Sequence, residues 1–173
     1  MATTSTAKEI EHEYWNLLFK TDLKSRYHTE RSAFILLAER LFLIVSAVIA
    51  ILLFLEKTPV NLAIIIFIIN LIIVIFLPAK KAGIHQRISN DYLDLLSEIE
   101  NNNAINSNIR NRYNNLRKGE PEFYRALEAK CYNDVSSEKG CSYFIPVNKI
   151  HYLFKNITKF QSLPMKAKPT AKS

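Results

Sequence analysis

Apolar positions along this chain are pooled, not spread. Residues 41–55 read LFLIVSAVIAILLFL and residues 60–77 read VNLAIIIFIINLIIVIFL. Phe34, Ile35, Leu36, Leu37 and Ala38 extend the first run upstream, while most other segments are polar, charged or rich in Asn. A globular core distributes its apolar residues at helix or strand period, whereas runs of this length without charge suit lipid. A helix needs about 20 residues to cross a ~30 Å hydrocarbon core. The pattern predicts two membrane spans, about 36–55 and 60–77, with Glu39 and Arg40 taken into the interface of the first. Between them Glu56-Lys57-Thr58-Pro59 allows only a tight turn, 56–59, so the spans are expected as an antiparallel hairpin over 36–77. Pro59 suits the first position of the second helix, where a missing N–H costs nothing. A cleaved signal peptide does not fit, because a long polar stretch precedes the first run. A re-entrant loop would strand backbone polar groups in lipid.

Charge then sets the orientation. Lys20, Lys24, Arg26, Arg31 and Arg40 flank the first span, and Lys80, Lys81 and Arg87 follow the second. The turn has no net charge. An excess of Lys and Arg marks the cytoplasmic side, so both termini are expected in the cytoplasm. Folding the hairpin at its turn brings Ser46 opposite Asn70 near mid-membrane. It also brings Glu39 opposite Phe76, within reach of Lys80 or Lys81 for an interfacial ion pair. An amide at mid-bilayer seeks a partner. Asn70 therefore either joins helices, through Ser46 or through Asn70 of another subunit, or lines a polar pore.

The flanking arms read as helices. Residues 1–35 place Ile10, Tyr14, Leu17, Leu18, Tyr27 and Phe34 in an amphipathic pattern, and no Pro or Gly interrupts 1–55. Arm and span can thus form one helix. A bend at 78–83 precedes a second arm, 78–118, with a 4-3-4-3 ladder: Ile88, Tyr92, Leu95, Ile99, Asn102, Asn106, Ile109, Tyr113 and Leu116. Such a ladder predicts coiled-coil or arm packing, with two Asn specifying register or partner number. Asn is also a poor helix former, so 101–108 is equally a polar loop between two shorter helices. Short helices are expected over 119–162. The first begins at Gly119-Glu120-Pro121-Glu122 and carries Phe123, Leu127 and Cys131. The last begins near Pro146 and carries Ile150, Phe154 and Ile157. Residues 163–173 read as a basic disordered tail suited to anionic lipid.

Three glycines in 173 residues disfavour strand-and-turn architectures, so the fold class expected is all-α. The net charge of +7 fits cytoplasmic membrane flanks. No stacking or groove-reading motif accompanies it, so nucleic acid is not an expected partner. Cys131 and Cys141 fit no zinc or redox spacing and are expected as free thiols. His12, His28, His85 and His151 are scattered, without metal-ligand spacing. No phosphate loop or nucleophile elbow occurs. Asp91, Asp94, Glu98 and Glu100 read as a solvated helix face. No enzymatic activity, cofactor or metal is expected.

A charged N-terminal helix with Tyr27-His28-x-x-Arg31, two closely spaced spans and a long helical tail resemble the SLATT class of bacterial two-span proteins, over about residues 10–116. The resemblance implies a non-enzymatic homo-oligomer of the bacterial inner membrane. It also implies an effector that perforates the membrane in a defence or conflict system when a cytoplasmic sensor or enzyme partner fires. The segment 120–133, EPEFYRALEAKCYN, is motif-like but lies outside that resemblance. A membrane-anchored scaffold, whose cytoplasmic helices hold a soluble partner, is the alternative expectation.

Overall fold

The computed structural model describes residues 3–54, 64–65, 67–68, 71, 78–102, 104–121, 123–153, 155–157 and 168–169. The fold is all-α, with one small strand pairing. Helix α1 is Thr3–Phe54, α2 is Pro78–Asn102, α3 is Ser107–Lys118, α4 is Arg125–Glu138 and α5 is Lys149–Leu153. Strands β1, Tyr143–Phe144, and β2, Lys168–Pro169, pair antiparallel, with Tyr143 opposite Pro169. The turn 56–59 and Asn70 lie outside the described residues, as does most of 60–77. Residues 64, 65, 67, 68 and 71 are helical.

The N-terminal arm and the first apolar run form one helix. At about 1.5 Å per residue, the 52 residues of α1 extend roughly 78 Å. The described chain packs as two compact units. One is Met1–Thr29 with Arg87–Ser173, and the other is Glu30–Gln86.

In the first unit Leu18, Tyr92, Leu95, Ile99, Ile109 and Tyr113 form a buried core, flanked by Tyr14, Leu17, Ile88 and Leu116. The apolar rungs of the ladder therefore pack within one chain. The ladder is not one continuous seam. Helix α2 ends at Asn102 and α3 starts at Ser107. In an unbroken helix Tyr92 and Tyr113 would stand roughly 30 Å apart, but their ring centroids are 6.1 Å apart. Helix α3 has folded back, and Arg112 reaches Glu98 at 2.7 Å. Both Asn rungs are exposed at the break. Asn102 donates to the Glu98 carbonyl at 2.9 Å. Asn106 caps α3, its side chain accepting from the Ile109 N–H at 2.8 Å. A buried Asn register in a long coiled coil is thus corrected by helix capping, because Asn competes for backbone groups most effectively at a helix start. Asn106→Ala is expected to destabilise this unit by about 0.5–2 kcal/mol, read as a lower thermal midpoint of the helical signal in detergent.

Helix α4 packs on α1 through a second cluster, Leu23, Tyr27, Leu127 and Cys131, with Phe19, Phe123, Tyr124 and Tyr132 around it. Gly140, at φ 68°, turns the chain after α4 in a conformation that favours glycine. Asn133 then fastens the returning chain. It accepts from the Ile145 N–H at 2.7 Å and donates to the Ile145 carbonyl at 2.8 Å. Cys131 is buried, Cys141 is half-buried, and neither forms a disulfide.

In the second unit α1 and α2 touch through small residues. Ser32 Oγ donates to the Ala82 carbonyl at 3.0 Å, and both residues are buried. Small side chains let two helix backbones approach this closely. Beyond that contact Leu41, Phe42, Leu43, Ile44, Val45, Val48, Ile51 and Leu52 are all exposed. Among the described residues, α1 is the one helix long and apolar enough to cross a membrane.

Candidate functional site

The most concentrated chemistry in the described chain is a buried polar cluster in the first unit. Lys24, Tyr27 and His28 stand at helical spacing on one face of α1. Helix α2 supplies Tyr92, the link between α3 and α4 supplies Glu120 and Phe123, and α4 supplies Glu128. The link is placed by the end of α3, where the Gly119 N–H donates to the Leu116 carbonyl at 3.1 Å. Glu120 follows at once and turns its carboxylate inward, leaving its side chain 2% exposed.

Three groups converge on that carboxylate. Lys24 Nζ lies 3.3 Å from Oε2, the Tyr92 hydroxyl donates to Oε1 at 2.5 Å, and His28 Nε2 lies 3.8 Å from Oε1. Lys24 also reaches Glu128 at 3.4 Å and sits 3.5 Å from the centre of the Phe123 ring. The His28 ring stacks on Tyr92, with centroids 6.2 Å apart and planes 9° from parallel. The Tyr27 hydroxyl accepts from the Tyr124 N–H at 2.9 Å, which docks the start of α4.

The electrostatics follow from this geometry. Burial pushes the Glu120 carboxyl up, but the adjacent His28 ring, the hydrogen bond from Tyr92 and the Lys24 charge outweigh it. Glu120 is held below the usual carboxylate range. Burial pushes the Tyr92 hydroxyl far up, and its bond to Glu120 adds to the shift. Tyr113 moves up for the same first reason, burial, with the Glu120 charge second. The cluster therefore holds an ionised glutamate between a lysine and a neutral tyrosine.

A second, more exposed set reinforces the α1–α4 contact. Arg26 binds Glu138 through both guanidinium NH groups, at 2.7 and 2.5 Å, and Asp22 at 2.8 Å. Lys139 lies 3.5 Å from Asp22. The Arg26 hydrogen bond holds the Glu138 carboxyl below its ordinary value. Chemically this is a clasp. It fixes α4 and its preceding link on α1 through charge and hydrogen bonds as well as apolar contact. No group of three or more His, Cys, Asp or Glu residues suited to a metal ion occurs among the described residues.

The sequence-predicted positions fall as follows. Ser46 is half-buried on α1, Glu39 is half-buried, and Lys80 and Lys81 are exposed. Asn70, the expected partner of Ser46, lies outside the described residues. Of the ladder, Tyr92, Leu95, Ile99, Ile109 and Tyr113 are buried, Ile88 and Leu116 are half-buried, and Asn102 and Asn106 are exposed.

The chain matches no protein-family model, no curated protein and no solved structure.

Sequence reasoning missed the clasp as a unit. Tyr27-His28 and Glu120-Pro121 each stood out as local patterns, but nothing in a separation of some ninety residues says that they meet. A usable signal was present. Two segments, each with aromatic residues close to ionisable ones, are what a buried ion pair with ring neighbours requires.

Proposed function

We propose that this chain is a two-span hairpin membrane protein of the bacterial inner membrane, with both termini cytoplasmic. In this reading it is an oligomeric effector that opens a pore in a defence system. The observation that carries the hairpin is the Ser32–Ala82 hydrogen bond. From Ser32, α1 continues to Phe54, 22 residues and roughly 33 Å of helix. The chain is back beside Ser32 at Ala82. In this reading the apolar run 60–77 is the returning span, and the 27 residues 55–81 taken as helix would cover roughly 40 Å. A polar contact at both ends of the apolar stretch supports a hairpin with both ends on one side. The exposed apolar side chains of α1 supply the surface that lipid would cover. The resemblance to SLATT proteins and the polar Ser46 and Asn70 within the spans support the pore.

One helix carries both the clasp residues and Ser46. A trigger that releases the clasp is in this reading the opening signal.

The test is Asn70→Leu. A pore lined or held by that amide should lose roughly tenfold or more of its flux, consistent with about 1–2 kcal/mol for an intramembrane hydrogen bond, at unchanged protein level in reconstituted vesicles. Wild-type vesicles that never conduct would end the pore reading. The scaffold reading gains from one observation, because the ladder buries its apolar rungs inside a single chain. A scaffold should keep partner binding in the Asn70→Leu protein.

A further inference from the structure

The last part of the chain has an uneven charge that the pore reading does not use. After Glu138 no aspartate or glutamate occurs, while residues 139–173 contain seven lysines. Within that stretch an unusual surface stands open. Ile150 is 60% exposed, Tyr152 52%, Leu153 75% and Ile157 62%. All four lie on α5 or the turn that follows it, a segment in which Lys149 is exposed and Lys155 half-buried. Lys155 Nζ sits 4.5 Å from the centre of the Tyr152 ring. The patch rests on a fixed base, because α5 contacts α4 and Asn133 holds Ile145 through both its oxygen and its nitrogen.

Three occupants can be weighed against this chemistry. A second copy of this surface would oppose lysine to lysine. A soluble protein would have to supply both acid and apolar area to one short helix. An anionic bilayer supplies phosphate at one depth and acyl chain just below it. Lysines whose stems cover apolar surface, a tyrosine between phases and bulky aliphatics together fit that layered partner. Basic segments concentrate on anionic leaflets.

We propose that α5 and the turn after it form an interfacial foot that binds the anionic phospholipid surface, inserting Ile150, Leu153 and Ile157 among the acyl chains. The foot fastens the α4 end of the clasp to the membrane independently of the spans. A change in lipid charge or ionic strength would then load or unload α4.

The test uses the full chain with Trp15, the only tryptophan, replaced by Phe and with Leu153→Trp as the reporter. The protein is reconstituted into vesicles whose acyl chains carry bromine, with phosphatidylglycerol included or with phosphatidylcholine alone. The expected result is a blue-shifted emission in the anionic vesicles, with roughly twofold greater quenching than in the zwitterionic ones. Lys149→Glu with Lys155→Glu should remove the difference, and high salt should weaken it without any mutation. Equal quenching in both vesicle types, or no quenching in either, overturns the proposal. A blue shift without quenching also overturns it, because protein, not lipid, then covers the patch. If the charge-reversed protein does not fold, salt on the reporter protein alone decides. Quenching insensitive to salt counts against the foot.

Discussion

Glu120→Ala should loosen the first unit more than any exposed charge removal, by about 3 kcal/mol. That figure is the low end of the range for breaking a buried ion pair by deleting one partner, because Glu128 still engages Lys24. The loss has a specific origin. Lys24, His28 and the Tyr92 hydroxyl share one carboxylate in a site where Glu120 is 2% exposed. Without it the lysine charge and the tyrosine hydroxyl lose their acceptor. The readout is thermal unfolding of the helical signal in detergent, where the midpoint should fall by roughly ten degrees. Protease should also cut the link before α4 sooner. The pH dependence has a definite sign. The folded Glu120 carboxyl lies below its ordinary value, so its contribution is fully present above the unfolded glutamate pKa of about 4.3. It is lost as the pH falls from there through the lower folded value. Glu120→Gln keeps the shape and an acceptor for Tyr92 but removes the titrating charge. The variant should start less stable and lose less between neutral and acid pH. A wild type and a Glu120→Gln protein with parallel pH–stability curves would show that this carboxylate does not drive the acid limb.

Val45→Arg tests the solvent of α1 instead. Val45 is 48% exposed and lies near the centre of the first expected span. If lipid surrounds it, a central arginine costs about 2.5–3.5 kcal/mol on insertion scales, roughly a hundredfold shift toward the uninserted state. The expected result is loss of alkali-resistant membrane association and loss of Lys57 labelling from the outer face. Val45→Leu should change neither. If the arginine protein is inserted like the wild type, then water or a partner's polar surface faces Val45, and the hairpin needs another account.

Several features were legible in the residues alone, each for a local reason. A continuous α1 followed from the absence of Pro and Gly across residues 1–55, because helix continuation depends on each residue and its neighbours. A long apolar helix followed from pooling, and it leaves its side chains open, as Leu41 to Val45 do. The face of Leu127 and Cys131 was readable from helical period, and it packs on α1; Phe123 packs there too, but from the link, because α4 begins at Arg125 and not at 119–122.

The ladder marks the boundary between local and tertiary information. Its 4-3-4-3 spacing described a seam and a broken hairpin equally well. Asn106 decided between them by capping α3, and the reward came only when Tyr113 returned to Tyr92 and both were buried against Leu18. The clasp lies wholly on the tertiary side. Lys24 and Glu120 are ordinary surface residues by composition, and folding brings them to 3.3 Å. Periodicity reports which face of an element is apolar. Pairing between distant charges depends on where whole helices come to rest, and α3 acquires its place only after it folds back on α2. The residues by themselves determined the helices and the long apolar stretch. Tertiary structure decided which polar groups would share a buried site, because burial of charge is tolerated only where a partner has already been delivered.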